Sequence, residues 1–167
     1  MSLELQRFLA IGAILGCGTM GGVFFAFSTF VMKALGRLPS VTAVAAMQFI
    51  NLTVVGPWFV GVFLGTAGVC VLLAIGALRS WPAAYSLWLL AGSLVYLTGV
   101  LGLTMMYHVP RNSELATLAA HDPGAAGFWS GYLADWTRWN HVRTAAALAS
   151  AGLFVAGLCR TYSHATP

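Results

Sequence analysis

Four apolar stretches divide the sequence, and each is long enough to cross a membrane. They cover residues of about 7–32, 54–78, 83–107 and 136–158. A transmembrane helix needs roughly 20 apolar residues to span a hydrocarbon core of about 30 Å. Only 7% of the residues are charged, against about a quarter in soluble domains. The sequence therefore predicts an all-α fold, in which residues 1–167 form a single integral membrane domain built as a four-helix bundle.

The first and third loops are predicted to carry short interfacial helices. In loop one, Ser40 can cap a helix from about Val41 to Leu52, whose apolar face is expected to lie along the membrane surface. In loop three, residues 113–120 and 125–135 flank a turn signal, and each can form a short helix. Pro110 is predicted to end the third span, because proline cannot continue the helical hydrogen-bond ladder.

Four spans place both termini and the 79–82 turn at one end of the bundle, and loops one and three at the other. The loop end carries Lys33, Arg37, Arg111, Arg138 and Arg143, and the opposite end carries Arg7, Arg79 and Arg160. This bias predicts a multi-pass protein of the cell membrane with loops one and three in the cytoplasm. The basic residues form no run or stripe, so the charge pattern argues against a nucleic-acid partner.

The most informative polar stretch is W-T-R-W-N-H-V-R, residues 136–143, at the start of the fourth span. Placing polar side chains inside a membrane span costs free energy, so such residues are usually functional. At 100° per residue, one face of this helix carries Trp136, Trp139, Asn140 and Arg143, whereas His141 lies at its flank. Small residues continue that face along the helix, so Asn140 and Arg143 are expected to point into the bundle.

The end of the third span shares a membrane face with the start of the fourth, so His108 and His141 can approach each other. The polar residues suited to a site gather at this end of the bundle. They are Asn51, His108, Asn112, Glu114, Trp136, Asn140, His141 and Arg143. The rings of F-F-A-F-S-T-F, residues 24–30, can supply the wall of a pocket for a flat apolar ligand.

Most of these candidates also have a purely structural interpretation. Trp136 and the aromatic rings of the first span can be interfacial anchors. Arg143 can extend its guanidinium to lipid headgroups. The two histidines can bind backbone carbonyls near the interface, and Asn112 can cap a helix that begins after Pro110.

A metal site is a further chemical alternative. His108 and His141 with Glu114, Asp122 or Asp135 could supply copper or iron ligands, or the two imidazoles could be haem ligands. The sequence contains no ligand-spaced motif such as H-E-x-x-H. Phosphate-binding loops and nucleophile elbows are also missing from it, and the glycines of the first span are expected to belong to a packing helix and not to a G-x-G-x-x-G loop after a strand.

Several motifs resemble those of a known family. They are F-F-A-F-S-T-F-V-M in the first span, A-M-Q-F-I-N and P-W-F around residues 46–59, V-P-R-N at 109–112 and W-T-R-W-N-H-V-R at 136–143. On these residues the chain resembles the anthrone oxygenase-like family of small four-span membrane proteins. The matched polar positions are Asn51, Asn112, Trp136, Asn140, His141 and Arg143. The family more often has asparagine where this chain has His108, and proline where it has Lys33.

The resemblance implies a membrane oxygenase that uses molecular oxygen as co-substrate and no organic cofactor. Its substrate would be an anthrone or another small phenolic aromatic. We predict that His141 or His108 removes a carbon-bound proton and that Arg143 and Asn140 stabilise the oxyanion. Substrate binding is assigned to Trp136, Phe27, Asn112 and Asn51.

Two other functions remain open at the level of the sequence. One is a copper-, iron- or haem-dependent oxidoreductase that uses His108 and His141 as ligands. The other is a small non-enzymatic membrane subunit whose polar cluster binds a protein partner or a lipid headgroup. A homo-oligomer is compatible with all three functions.

Overall fold

The computed structural model describes residues 1–119, 121–122 and 124–163, and within them every regular element is helical. Four helices are long and apolar enough to cross a membrane. The helices are α1 (Leu3–Leu35), α2 (Ser40–Thr53), α3 (Pro57–Arg79), α4 (Ser86–Ala116) and α5 (Ala125–Ser163). The predicted all-α membrane bundle is confirmed, with α2 as the short helix of loop one.

The third span is longer than predicted, because α4 continues through Pro110 to Ala116. Two π-helical turns, Leu97–Gly102 and Thr104–His108, precede the proline. In the second turn the Val109 N–H bonds to the Thr104 carbonyl, five residues back. We attribute the continuation to this wider turn, which eases the clash and the missing N–H that make proline a helix breaker. The prediction that Pro110 ends the span was therefore wrong.

The two short helices predicted in loop three are extensions of the spans. Residues 125–135 form the start of α5, a single helix of 39 residues. This stretch contains no proline, so nothing interrupts the helix before the predicted start of the fourth span. Residues 113–116 form the last turn of α4, and Ala120, at the end of the other predicted helix, lies outside the described residues.

At one end of the bundle, the start of α1 meets the α3–α4 turn and the end of α5. Gln6 Nε2 donates to Ser80 Oγ at 2.9 Å. The Arg7 guanidinium donates to the Thr161 carbonyl at 2.7 Å. These contacts confirm that both helix ends and the 79–82 turn lie on the same side.

At the opposite end, α2 and loop three cover the bundle. Gln48 Nε2 donates to the carbonyls of Leu115 and Leu118 at 2.8 and 3.0 Å. Beneath this contact lies an apolar cluster rich in large side chains, which we call the loop-end core. Its buried members are Met32, Leu35, Ala43, Val44, Met47, Leu115, Trp129, Tyr132 and Trp136. A second core, of mostly smaller residues, fills the middle of the bundle.

Candidate active site

A cavity of about 620 Å³ lies at the loop end of the bundle, and all five helices contribute to its wall. The wall is mainly apolar and aromatic, with Phe24, Phe27, Phe59, Phe63 and Trp136 among its residues. Its size is typical of small-molecule sites, which are apolar with a few convergent polar groups. Six of the eight residues predicted to form the site line it, namely Phe27, Asn51, His108, Asn112, Trp136 and Arg143.

Arg143 is the buried cation of this cavity, and only 5% of the residue is exposed. Its Nη1 donates to Thr104 Oγ1 at 3.2 Å. Its Nη2 donates to Asn140 Oδ1 at 2.6 Å, whereas Nε has no hydrogen-bond partner in the described part of the chain. No carboxylate among the described residues forms an ion pair with it. A buried cation without a counter-charge is expensive, so the site is suited to an anionic ligand.

Two aromatic rings offset part of that cost. The guanidinium carbon of Arg143 lies 4.4 Å from the centroid of the Phe24 ring and 5.2 Å from that of Trp136. These distances fall within the range of cation–π attraction. The rings stabilise the cation without neutralising it, so its charge remains available to a ligand in the cavity.

Asn140 does not line the cavity but holds Arg143 against α1. It is completely buried, and its Nδ2 donates to the Phe24 carbonyl at 2.7 Å and to Ser28 Oγ at 2.6 Å. Its Oδ1 is then directed to Arg143. Next to this contact, α1 changes to a π-helical turn at Phe27–Val31, a feature that is frequent at functional sites. Asn140 therefore acts as a positioning residue.

His108 lines the cavity with an imidazole that lacks hydrogen bonds. The residue is 1% exposed, and neither ring nitrogen has a hydrogen-bond partner among the residues described. The main chain of Trp139 lies near the ring, but not in hydrogen-bond geometry. The imidazole packs edge-on against Trp136, with centroids 4.9 Å apart. No backbone carbonyl among the described residues is in hydrogen-bond geometry with His108, so a ligand can engage its nitrogens.

Asn112 fixes two aromatic side chains of α5 at the cavity. Its Oδ1 accepts hydrogen bonds from the Tyr132 hydroxyl at 2.7 Å and from Trp136 Nε1 at 3.0 Å. Asn112 lies inside α4, so it is not the helix cap that the sequence also allowed. The Trp136 ring also packs on Phe27, with centroids 5.8 Å apart. Asn51 lines the cavity as well, and its Nδ2 is buried without a hydrogen bond to any described residue.

His141 lies away from this cavity. It is exposed and lines a separate groove of about 280 Å³ with Ser28, Lys33 and Thr137. The flank position predicted from the helical wheel is confirmed, but the described helices do not bring His141 to His108. The predicted approach of the two imidazoles was therefore wrong, because the rotation from Arg143 to His141 is about 200° around α5.

The donor sets considered for a metal are not gathered here. Within residues 1–119, 121–122 and 124–163 there is no group of three or more His, Cys, Asp or Glu side chains that could hold a metal ion. Glu114 instead pairs with Arg111 on the surface of α4. The two imidazoles proposed as haem ligands line different cavities.

The family model described as anthrone oxygenase matches residues 49–153. The chain belongs to the anthrone oxygenase family. The match covers the last five residues of α2, all of α3 and α4, and α5 as far as Leu153. It therefore includes every polar residue that lines the cavity except Gln48. Searches of the curated proteins and of the solved structures found no match for the chain.

Two residues that contact side chains of the candidate site were not identified from the sequence. Thr104 accepts from Arg143, and Tyr132 donates to Asn112. Each precedes a candidate by four residues on the same helix face, His108 and Trp136 respectively. That spacing was a usable signal, but apolar or hydroxyl-bearing residues at such positions are also ordinary packing residues.

Proposed function

We propose that the protein is a membrane oxygenase that binds a flat, weakly acidic aromatic ketone such as an anthrone and oxidises it with molecular oxygen, without an organic cofactor. Membership of the anthrone oxygenase family suggests an oxygenase-like function. The observation that carries the finer proposal is Arg143, a buried cation without a carboxylate partner among the described residues, in the wall of an aromatic cavity.

The cavity suits both parts of such a substrate. The rings of Phe24, Phe27 and Trp136 can pack against its faces, since offset and edge-on aromatic contacts are favourable. Arg143 can bind the oxygen atom of the substrate, which becomes negatively charged when the molecule loses a proton. In an apolar, water-excluding environment a preorganised cation stabilises such a charge far more strongly than it would in water.

We assign the proton-accepting role to His108. Of the two histidines predicted for it, His108 lines the cavity with unpaired ring nitrogens, whereas His141 lines the separate groove. Removal of a proton from the methylene carbon converts the ketone into an electron-rich enolate. A neutral imidazole is a suitable base for this step.

The remaining steps balance without an external reductant. The enolate carbon forms a bond to one atom of O₂, and protonation of the other atom gives a hydroperoxide. The hydroperoxide then loses water as its O–O bond and the second C–H bond break. A CH₂ group and O₂ thus become C=O and H₂O, and the substrate itself supplies the electrons. The stoichiometry is that of a monooxygenase.

The test is turnover of anthrone by protein purified in detergent, with oxygen uptake and anthraquinone formation followed together. We expect one O₂ consumed per anthraquinone formed, at a rate above that of protein-free detergent. Elemental analysis of the same sample accompanies the assay. No acceleration with any phenolic ketone, together with co-purification of a stoichiometric protein partner, would contradict an enzyme and favour a membrane subunit.

A further inference from the structure

On the side of the loops, contacts between α2, α4 and loop three cover part of the cavity. Gln48 ties α2 to the end of α4 and to loop three through two carbonyls. Met47 and Leu115 are completely buried beneath this contact, and Tyr132 is bound to Asn112. A ligand that entered through this covered part would have to separate these elements. Beside it, the cavity-lining residues Leu52, Val55 and Ser113 are exposed.

The cavity is open between α3 and α4. These helices pack together along the first part of α4, up to Gly102, but have few contacts along Thr104–Ala116. In the gap, cavity-lining residues of both helices are exposed, namely Leu64 on α3 and Met105 and Val109 on α4. Met105, for example, is 48% exposed although it lines the cavity.

This opening lies at the depth of the lipid chains. Trp58, at the start of α3, is 89% exposed, as expected of an anchor at the membrane surface. Leu64 follows Pro57 by seven residues, which at 1.5 Å per residue places it about 10 Å further along the helix. That is about one third of the way across a hydrocarbon core of about 30 Å.

We infer that the gap bordered by Leu64, Met105 and Val109 is a lateral entrance through which an apolar aromatic ligand passes from the lipid bilayer into the cavity. The ligand class follows from the route, since a molecule that partitions into lipid reaches this gap and a strongly hydrated one does not. The identity of the ligand as an anthrone-type ketone rests on the proposed function, whereas the route does not depend on turnover.

The route is tested by labelling a cysteine inside the cavity, Thr104→Cys, in vesicles of phosphatidylcholine. The parent protein carries Cys159→Ser, because Cys159 is exposed, and retains Cys17 and Cys70, which are buried. Two maleimides are compared, lipid-soluble N-phenylmaleimide and a membrane-impermeant sulfonated maleimide. Ser113→Cys, at an exposed rim position, controls for reagent reactivity.

We expect N-phenylmaleimide to label Thr104→Cys. After each labelling rate is divided by that of Ser113→Cys with the same reagent, the sulfonated reagent should be at least about tenfold slower. Adding Met105→Trp should slow N-phenylmaleimide at least about tenfold by filling the gap. Met106→Trp is the matched control, because Met106 is exposed but does not line the cavity, and it should leave the rate within about twofold.

Equal labelling by the two reagents after correction, or equal rates for the two tryptophan variants, would overturn the lateral entrance. If neither reagent labels Thr104→Cys in vesicles but both do so after unfolding in detergent, the entrance is likewise contradicted. Anthrone oxidation is measured separately on the unlabelled parent. Its absence with the expected labelling pattern would refute the proposed function and leave the entrance in place.

Discussion

Two groups of buried polar side chains in this bundle differ in their hydrogen bonding. One group has partners within the protein, whereas atoms of the other group lack them in the described part of the chain. In the middle, Cys17 Sγ donates to Ser150 Oγ at 3.5 Å, and Ser150 Oγ donates to the Gly92 carbonyl at 2.7 Å. Near the loop end, Arg143 Nε and both nitrogens of His108 lack partners within the described ranges. Both groups are buried between helices, and the second lines the cavity of the candidate site.

The comparison shows that burial and polarity alone do not mark a candidate site in this protein. The loop-end group combines unsatisfied hydrogen bonding with a place in the cavity wall, whereas Gln6 Oε1 and Ser86 Oγ also lack partners among the described residues but do not line this cavity. A buried polar group without a partner costs free energy, and a buried cation costs more. The hydrogen bonds within the middle group avoid this cost, and they join α1, α4 and α5. The loop-end group still carries this free-energy cost, as expected where a bound ligand supplies the missing hydrogen bonds.

The largest effect is expected for Arg143→Ala. Among the described residues that line the cavity, this change removes the one arginine or lysine, and loss of one oxyanion-stabilising group typically lowers kcat by about 10²–10³-fold. The rate of anthraquinone formation measures it. Arg143→Lys should recover part of the activity, since it keeps the charge but loses the fork of donors. Full activity in Arg143→Ala would contradict a functional role for the loop-end group.

A loss of about 10²-fold in kcat is expected for His108→Ala, because a positioned general base contributes about this much or more. His108→Asn is the sharper variant, because asparagine keeps hydrogen-bonding ability but does not accept a proton at neutral pH. If His108→Asn were as active as the wild type, the base assignment would be wrong, and His108 would only position the ligand.

The middle polar group is tested by Ser150→Ala. The change leaves the Gly92 carbonyl without this donor, and we expect the free energy of unfolding to fall by about 0.5–1.5 kcal/mol. Unfolding in detergent with increasing SDS measures the loss. The kcat/KM for anthrone should stay within about twofold of the wild type. A large loss of activity without a loss of stability would show that the two polar groups do not have separate roles.

The smallest effect is expected for His141→Ala. Because His141 is exposed in a separate groove, we expect both stability and anthrone turnover to change little, by less than about 0.5 kcal/mol and twofold. The same assays measure it, beside His108→Ala. A loss comparable with that of His108→Ala would mean that the site includes the outer face of α5.

The sequence was sufficient to predict the four spans, because apolar length alone determines which segments can cross a membrane. It also placed Trp136, Asn140 and Arg143 on one face, since helical rotation is a local property. It was not sufficient for the continuation of α4 past Pro110, which depends on a π-helical turn that leaves no recognised sequence signal.

The site was predicted least well where it depends on how helices pack. The helical rotation along α5 predicted that His141 lies at the flank. It did not predict whether a neighbouring helix would cover that flank. Thr104 and Tyr132 are ordinary residues in sequence, and only their contacts with Arg143 and Asn112 give them a role. The unpaired state of His108 likewise emerges only from the complete set of neighbours.

The central claim is that Arg143 stabilises the oxyanion of an aromatic ketone inside the cavity. The most direct measurement is the absorption spectrum of anthrone mixed with the purified protein in the absence of oxygen, where the enolate can form but cannot react further. The account predicts a long-wavelength enolate band that saturates with the wild type and is lost in Arg143→Ala but not in Ser150→Ala. A wild-type spectrum identical to that of anthrone in detergent alone, or an equal band in Arg143→Ala, would contradict it.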